Sequence, residues 1–371
     1  MQREKHRPPL KTLACPHPDC QLYAVTGADN LSVRKVYGKD HIRYLRCNAC
    51  VHEFSERKNT ALWGTKISEE KALSVAEHLS EGVSTKGTSR LVGVSAEAIR
   101  RLRANLGNHS RDFHGEYVQQ IEATAVQMDE RHGYVRSKAV PFWEATALAP
   151  ESRLLVGFVG GRRDERLIKE LMQSTKDRLC DPTDLVLMTD GHRSYESLFA
   201  SIFGQPYRPA RKGDRGRFPK IRYRINRKLA HLQVIKHRHR GRVVGVSPRV
   251  AHGSYRRVNT ELEKLSYKEP NLSAIERQNA TARRMNAYMV RKSLAFARTE
   301  HSREALGWFS TVVYNFCHSQ RGLRVALSSA AAEGRRHYQQ RTPAMAADLT
   351  DSIWTVTDVL CTPVYAAGGT G

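Results

Sequence analysis

The chain has 371 residues, with 61 Lys or Arg against 37 Asp or Glu, so its formal net charge is +24. This excess raises self-repulsion in a folded protein and favours a polyanion such as DNA as the partner. No run of about 18 apolar residues occurs, so no membrane span is expected, and the polar, basic stretch Met1 to Leu13 is unlike a secretion signal. The length predicts two or three domains. From the charge and from the lack of an expected membrane span or secretion signal, we expect the protein to act in the cytoplasm, on DNA.

Residues 1–62 form the first predicted domain. They hold four of the seven cysteines as two close pairs: Cys15, Cys20, Cys47 and Cys50. The stretch from Ser32 to Arg46 alternates enough to form β-hairpins, and two such pairs can meet around one tetrahedral Zn²⁺ ion, so a zinc ribbon with a structural Zn²⁺ is predicted. Disulfides are the alternative, but the three unclustered cysteines and the missing secretion signal favour reduced thiols. His17, inside the first pair, is a further candidate ligand.

Residues 63–112 form the second predicted domain, which is helical. Its helices are expected at about 68–79, 86–92 and 96–106. The sequence Gly93-Val94-Ser95 supplies the turn before the third helix, with Ser95 as its N-cap. Ile99, Leu102 and Leu106 share one face of that helix, and three arginines are expected to point outward to DNA: Arg100, Arg101 and Arg103. This order is typical of a helix-turn-helix, and the alternative is an ordinary three-helix bundle.

Residues 113–335 predict one α/β domain, followed by a C-terminal tail at 336–371. Apolar periodicity places three strands, a helix, a fourth strand and three further helices in that order. These elements are expected at 125–129, 141–148, 154–159, 164–179, 185–188, 195–203, from 273 to past 289, and 304–317. The order is that of the ribonuclease H-like fold, which is the predicted class of this domain.

The segment 208–257 interrupts this domain with seventeen Lys or Arg and one acid, Asp214, a net charge of +16. Such a run usually forms solvated surface or disorder. Here Val243 to Val246 has the composition of a strand, and aromatic residues are interspersed. We expect a partly ordered basic insertion that follows DNA phosphates, with stacking possible at its aromatics: Tyr207, Phe218, Tyr223 and Tyr255.

Three carboxylates lie where two strands are expected to end and a helix to begin: Asp129, Asp190 and Glu276. Each has an ordinary alternative, since Asp often forms turns after strands and Glu in a first helical turn complements the helix dipole. Val126 and Met128 share the parity of Glu130, so Asp129 is the predicted site residue and Glu130 its alternative. Together the three suit a two-metal site for Mg²⁺ or Mn²⁺.

The predicted helix around Glu276 carries further candidates. Asn279 and Arg283 share the face of Glu276 and could contact DNA phosphates beside the metals. Arg277 and Arg284 lie to the side of that face and are also candidates for DNA contact. The alternative for these two is a solvated basic face. His192 follows Asp190 closely, but a lone His near a carboxylate is more often structural, so it stays outside the predicted triad.

Taken together, these segments resemble the DDE transposases of bacterial insertion sequences, of the insertion-sequence-one type. The resemblance covers most of the chain, from the cysteine pairs and the predicted helix-turn-helix to four short segments: MDE at 128–130, TDGHRSY at 189–195, IERQN at 275–279 and YNFCHSQRGLR at 314–324. The stretch at 341–354 resembles the tails of that family. The chain departs from the family at His192, where Trp is common, and at 318–320, where a basic-Pro-His sequence is more usual.

The resemblance implies that Asp129, Asp190 and Glu276 form the acidic triad of a transposase. Water would free a 3′-hydroxyl at each element end, and that hydroxyl would then attack target DNA without a covalent protein intermediate. Such an enzyme binds the terminal inverted repeats and acts as a dimer or larger assembly, because two ends must be held together. Two other classes stay open: a DNA-binding regulator with an inactive catalytic domain, and a nuclease of the same fold that cuts without joining.

Overall fold

The structure, a computed structural model, describes residues 7–211, 217–290, 293–327 and 337–365. Parts of the predicted segments lie outside the described residues: the start of the ribbon, residues 212–216 of the basic insertion, residues 291–292 and 328–335 of the α/β domain, and both ends of the C-terminal tail. Within the described ranges, each helix is too short or too polar to cross a lipid bilayer.

The described chain alternates between helices and strands and is of the mixed α/β class. The α-helices are α1 Glu69–Ser80, α2 Thr85–Val92, α3 Ala96–Tyr117, α4 Glu165–Arg178, α5 Arg193–Phe203, α6 Tyr255–Lys264, α7 Ser273–Met285, α8 Glu300–Phe316, α9 Pro343–Ala346 and α10 Val356–Cys361. The strands are β1 Leu31–Tyr37, β2 Ile42–Cys47, β3 Glu53–Ser55, β4 Ala125–Val135, β5 Ser137–Ala149, β6 Leu154–Gly161, β7 Val186–Thr189, β8 Gln205–Tyr207, β9 Arg222–Arg224, β10 Ala230–His239, β11 Arg242–His252, β12 Val325–Ala326 and β13 Tyr338–Gln339. Short 3₁₀ helices cover Leu10–Thr12 and Arg321–Leu323.

These elements form two compact units, each assembled from separate stretches of the chain. The first, which we name the N-terminal unit, comprises Met1–Tyr117, Ala282–Ser319 and Asp351–Gly371. The second, the sheet unit, comprises Val118–Thr281 and Gln320–Thr350. The division between the units falls inside α7, so the chain leaves the sheet unit partway along a helix.

The N-terminal unit begins with an antiparallel sheet of β1, β2 and β3 in that order, which includes the predicted hairpin. Leu13, Leu45 and Phe54 form a small core in this part of the chain. Arg57 donates to Asp40 at 3.0 Å and to Glu69, at the start of α1, at 2.7 Å. A core of this size is marginal by itself, so such ion pairs and a bound metal are its natural supplements.

Helix α3 begins directly after its predicted N-cap, and the side chains of Ser68 and Ser84 cap α1 and α2. The Ser95 hydroxyl accepts from the Ala98 N–H at 3.2 Å, and Gly93 ends α2 with a φ of +66°, a left-handed conformation that glycine adopts without strain. Helix α3 continues to Tyr117, well beyond the predicted end at residue 106, because its buried face continues along α8. A Cβ on Gly107 would lie 2.3 Å from the Cα of Ala305, so the two helix backbones approach closely there.

Helix α7 is shorter than the sequence predicts. The expected helix runs past residue 289, whereas α7 ends at Met285. The buried side chain of Asn286 accepts from the Tyr288 N–H at 2.9 Å. This local bond favours a turn over another helical turn and explains the early end.

The sheet unit is built on a mixed six-stranded sheet with the order β11-β10-β7-β4-β5-β6. Strands β4, β5 and β6 are antiparallel neighbours, β7 is parallel to β4, β10 is parallel to β7, and β11 returns antiparallel to β10. Helices α4 and α5 lie on one face, where Phe199 of α5 stacks on His231 with ring centroids 5.4 Å apart. The part of α7 in this unit lies on the opposite face, against Gln127 and Asp129.

Strand β4 is longer than the sequence predicts. The apolar run predicts an end at Asp129, whereas β4 continues to Val135 in antiparallel pairing with β5. Its parallel pairing with β7 stops earlier, where Gln127 faces Met188. Asp129 therefore lies inside a strand, but just past the point where the neighbouring parallel strand stops pairing with it.

Much of the predicted basic insertion belongs to the sheet. Strands β10 and β11 lie within 208–257, and Ala230, Leu232 and Val234 are fully or almost fully buried. The charge is concentrated at the far end of this hairpin, where three exposed arginines lie near its turn: Arg238, Arg240 and Arg242. The hairpin is thus an ordered part of the sheet with a basic tip.

We predict that His231 makes the sheet unit sensitive to acid. Burial, followed by the charges of His252 and Arg249, lowers the pKa of His231 to about 3, against about 6.5 in an unfolded chain. The unfolded chain therefore binds more protons between these values, and this contribution to stability is lost as the pH falls below about 6.5, by about 2 kcal/mol between pH 7 and pH 5.

Urea unfolding of the protein and of His231→Phe at both pH values measures this contribution. The variant should lose about 2 kcal/mol less than the parent protein on acidification. Equal losses in the two proteins would show that His231 does not control the pH dependence.

Candidate functional site

Four cysteine sulfurs lie together in the N-terminal unit. The Sγ atoms of Cys15, Cys20, Cys47 and Cys50 are all within 4.8 Å of one another. Cys15 and Cys50 are 3.6 Å apart, and Cys20 and Cys47 are 3.9 Å apart. Sulfurs arranged tetrahedrally around one Zn²⁺ ion at about 2.3 Å would be about 3.8 Å from each other. The cysteines therefore cluster as metal ligands do, with a spacing compatible with structural zinc.

Polar groups around this cysteine cluster favour a thiolate at Cys47. The Asn30 side chain donates to its Sγ at 3.1 Å. Burial raises the pKa of Cys47, but hydrogen bonds from the N–H groups of Cys50 and Ala49 and from the side chains of Cys50 and Asn30 together outweigh that effect and lower it to about 7. The thiolate is the form that binds metal. His17, the further candidate ligand, is not part of the cluster.

Two of the predicted carboxylates belong to neighbouring parts of the sheet unit: Asp129 lies in β4, and Asp190 directly follows β7. Gln127 pairs with Met188 across β4 and β7, and the residues two positions further along, Asp129 and Asp190, follow on the same face. Burial, then the negative charges of Glu130 and Asp190, raise the pKa of Asp129 to about 6. A divalent cation would relieve this repulsion, so Asp129 and Asp190 suit one by charge and by donor type.

Each of these two carboxylates is oriented by a neighbouring N–H group. The Asn279 amide of α7 donates to Asp129 Oδ2 at 2.7 Å, and the His192 N–H donates to Asp190 Oδ1 at 2.9 Å. Asn279 is only 4% exposed, and its Oδ1 has no hydrogen-bond partner among the described residues. The side chain of Asn279 is therefore engaged in orienting Asp129 and is too buried to make the predicted contact with a DNA phosphate easily.

Gln127 fixes the start of α7. It lies on the same face of β4 as Asp129 and is fully buried. Its side-chain oxygen accepts from the Ile275 N–H at 3.0 Å, and its amide donates to the Asn271 carbonyl at 3.2 Å. One side chain thus satisfies two backbone groups at the helix start, which sets the position of Glu276 one residue further on.

Arg131 fixes the next turn of α7. It donates to the Gln278 side chain at 3.0 Å and to Glu144 of β5 at 3.1 Å. Arg131 and Glu144 are almost completely buried, so removing either would leave a buried charge uncompensated. We call Gln127, Asp129 and Arg131, with their bonds to α7, the β4–α7 network.

Glu130 points to the other face of β4, as the alternation of apolar residues predicts. Its side chain is 1% exposed and pairs with Arg163 at 2.9 Å. The Tyr195 hydroxyl of α5 donates to it at 2.5 Å. Glu130 therefore joins β4 to α5, the helix that follows Asp190, and its oxygens are engaged by protein donors.

The third predicted carboxylate has a different partner. Glu276, in the first turn of α7, is 47% exposed and forms an ion pair with Lys236 of β10. In the described part of the chain, one group of three or more His, Cys, Asp or Glu side chains has its ligand atoms close together, and that group is the four cysteines. Asp129, Asp190 and Glu276 thus do not form a single set of ligands in this structure.

The predicted DNA-contacting arginines of α3 differ in exposure. Arg100 and Arg101 are exposed and pair with Glu97 at 2.5 and 3.2 Å. The expectation that Arg103 points outward is wrong: it is 4% exposed and donates to Thr85 at 3.0 Å and to the Tyr288 hydroxyl. Position 103 is one turn beyond Ile99 and therefore lies on the buried face of α3.

The arginines of α7 are also in distinct settings. Arg277 is exposed in the sheet unit. Arg283 is half-buried in the N-terminal unit, where Arg284 pairs with Glu81 at 3.0 Å. Sequence reasoning missed three other residues around the carboxylates, namely Gln127, Arg131 and Lys236. Gln127 could have been noticed as a polar residue inside an apolar strand.

Models of known protein families do not match the chain, and neither do curated proteins.

We predict that the cysteine cluster binds one Zn²⁺ ion and that Cys47→Ser abolishes tight binding. The ribbon should then lose protection from hydrogen exchange, because the ligands of a structural zinc supply much of the folding free energy of a small domain. Zinc content and exchange at residues 31–55 measure both effects. Cys180→Ser, at an exposed cysteine outside the cluster, is the matched control, and unaltered zinc content in Cys47→Ser would contradict the assignment.

We also predict that Gln127→Leu destabilises the sheet unit by about 2 kcal/mol, because the Ile275 N–H and the Asn271 carbonyl lose their partner. Urea unfolding provides the measurement. Gln173→Leu, the same substitution at an exposed position of α4, should change stability by less than about 0.5 kcal/mol. Equal effects of the two substitutions would show that Gln127 does not hold the helix.

Proposed function

We propose that this chain is a DDE transposase that binds the ends of a mobile DNA element, cuts at the 3′ ends and joins them to target DNA. The observation that carries the proposal is the placement of Asp129 in β4 and of Asp190 directly after the adjacent parallel strand β7, with α7, the helix of Glu276, bonded to Gln127 and Asp129. A carboxylate set at the end of parallel strands, beside a helix, is suited to phosphoryl transfer.

The sheet supports a ribonuclease H-like fold for this unit. Three antiparallel strands, β4 to β6, are followed by the parallel strands β7 and β10, and α4 and α5 connect them on one face. This strand order brings Asp129 and Asp190 close together, because β4 and β7 are neighbours in the sheet although 50 residues separate the end of β4 from the start of β7. The hairpin β10–β11 extends the sheet with a basic tip.

Asp129, Asp190 and Glu276 are the residues that would hold Mg²⁺ or Mn²⁺. Bound there, two such ions would activate the attacking oxygen and stabilise the leaving one. Asn279 orients Asp129, and Gln127 and Arg131 set the helix that carries Glu276. Binding at Glu276 requires the Lys236 ion pair to open, since the ammonium occupies that carboxylate.

DNA binding is supported by charge and by the exposed arginines. The net charge of +24 suits a polyanion. Helices α1 to α3 have the order of a helix-turn-helix, with Arg100 and Arg101 exposed on the third helix, and the cysteine cluster would hold a Zn²⁺ that orders the ribbon beside it in sequence. These modules would bind the terminal inverted repeats, and the β10–β11 tip and Arg277 would contact backbone phosphates.

The active species would be a dimer or a larger assembly, because two element ends must be held together before they are joined. A DNA-binding regulator is the second candidate function. It is favoured by one observation, the separation of Glu276 from the two aspartates by its ion pair with Lys236.

A strand-transfer assay tests the proposal, using purified protein and DNA that carries the ends of the element flanking its gene. We expect joined product with Mg²⁺, none with EDTA, and a loss of about 100- to 1,000-fold in Asp190→Asn, the size of effect seen when a main electrostatic group of an active site is removed. Asp177→Asn, at an exposed position of α4, is the matched control.

The other outcomes separate the alternatives. Binding to the ends without cleavage under any condition would establish the regulator. Cleavage without joining would point to a nuclease of the same fold, and joining by monomers on paired ends would remove the need for an assembly.

A further inference from the structure

Lys236 lies on the face of the sheet that carries the carboxylates. Leu232 of β10 pairs with Met188 of β7, which in turn pairs with Gln127 of β4. Alternation along β10 then places Val234 and Lys236 on that same face. Its ammonium is therefore directed to the side of the sheet where α7 lies, and there it forms the ion pair with Glu276.

The Lys236–Glu276 pair differs in exposure from the Arg131–Glu144 pair that helps to hold α7. Lys236 is 29% and Glu276 47% exposed, whereas Arg131 and Glu144 are almost completely buried. Half-exposed pairs contribute little net free energy, because water solvates the separated charges almost as well. The Lys236–Glu276 pair can thus open at a low cost in free energy, whereas opening the Arg131–Glu144 pair is costly.

We propose that Lys236 is a displaceable counter-ion of the carboxylate site, whose ammonium exchanges with a divalent cation at Glu276. Without the cation, the ammonium offsets the negative charge gathered by Asp129, Asp190 and Glu276. When the cation binds, repulsion between like charges drives Lys236 off the carboxylate. The inference rests on the proposed function, because that function is what brings a divalent cation to these residues.

This exchange explains why Glu276 stands apart from the two aspartates in the structure. The helix that carries it is fixed by Gln127 and Arg131, so only the side chain has to move. Lys236 therefore sets the cation concentration at which the third carboxylate joins the other two.

Calorimetric titration of Mn²⁺ into the full chain, with its cysteine cluster saturated by Zn²⁺, tests the exchange. Lys236→Met should bind Mn²⁺ about tenfold more tightly than the parent protein, because no ammonium competes for Glu276. Lys236→Arg should stay within about twofold of the parent protein, since it keeps a cation there. In a Glu276→Gln background, Lys236→Met should change the affinity less than about twofold.

Lys228→Met is the matched control, because Lys228 pairs with Asp184 at 3.2 Å in the same unit and its loss removes the same charge. It should leave Mn²⁺ affinity unchanged. Equal or weaker binding by Lys236→Met, or an equal gain in Lys228→Met, would overturn the exchange. So would a failure of both the parent protein and Lys236→Met to bind Mn²⁺.

Two further results separate this inference from the proposed function. If the parent protein joins DNA with Mn²⁺ and Lys236→Met binds the ion no more tightly, the exchange is wrong and the transposase proposal stands. If Mn²⁺ binds more tightly to Lys236→Met but no variant cuts or joins DNA, the exchange stands and the transposase proposal fails.

Discussion

The hydrogen bonds between β4 and the start of α7 set the geometry on which the candidate site depends. Gln127, Asp129 and Arg131 occupy alternate positions of one strand, so all three point to the same face, and each bonds to α7. Helix and strand are distant in the sequence, and no local preference would bring them together. The same network that holds the helix therefore also fixes where Glu276 and Asn279 stand relative to Asp129.

The site combines two kinds of electrostatic contact. The buried pair of Arg131 with Glu144 is costly to break, because a lone charge would remain away from water. The Lys236–Glu276 pair is half-exposed and inexpensive to open. The scaffold is thus held firmly where it positions backbone and is adjustable where a carboxylate meets solvent, as the proposed cation exchange at Glu276 requires.

Local patterns predicted much of this structure. The N-cap at Ser95, the turn at Gly93 and the opposite orientation of Asp129 and Glu130 each depend on a few neighbouring residues, and the clustering of the cysteines follows from two close pairs. Features set by distant residues were not predictable in this way. The ion pair of Lys236 with Glu276 joins residues 40 positions apart. Strand β10 was hidden by the basic residues around it, and Arg103 was expected on the surface because of its charge, although its spacing from Ile99 places it inside.

The division of the N-terminal unit among three stretches of chain has a consequence for its synthesis. The buried face of α3 packs along α8, where Phe113 meets Phe316 edge-to-face with centroids 5.1 Å apart, and Trp354 completes the same aromatic cluster. A ribosome makes α3 long before either partner, so this apolar face stays uncovered while the first stretch of the sheet unit, Val118–Thr281, emerges. Completion of the N-terminal unit is therefore a late event in folding, and the nascent chain carries an uncovered apolar helix face until α8 and Trp354 have been made.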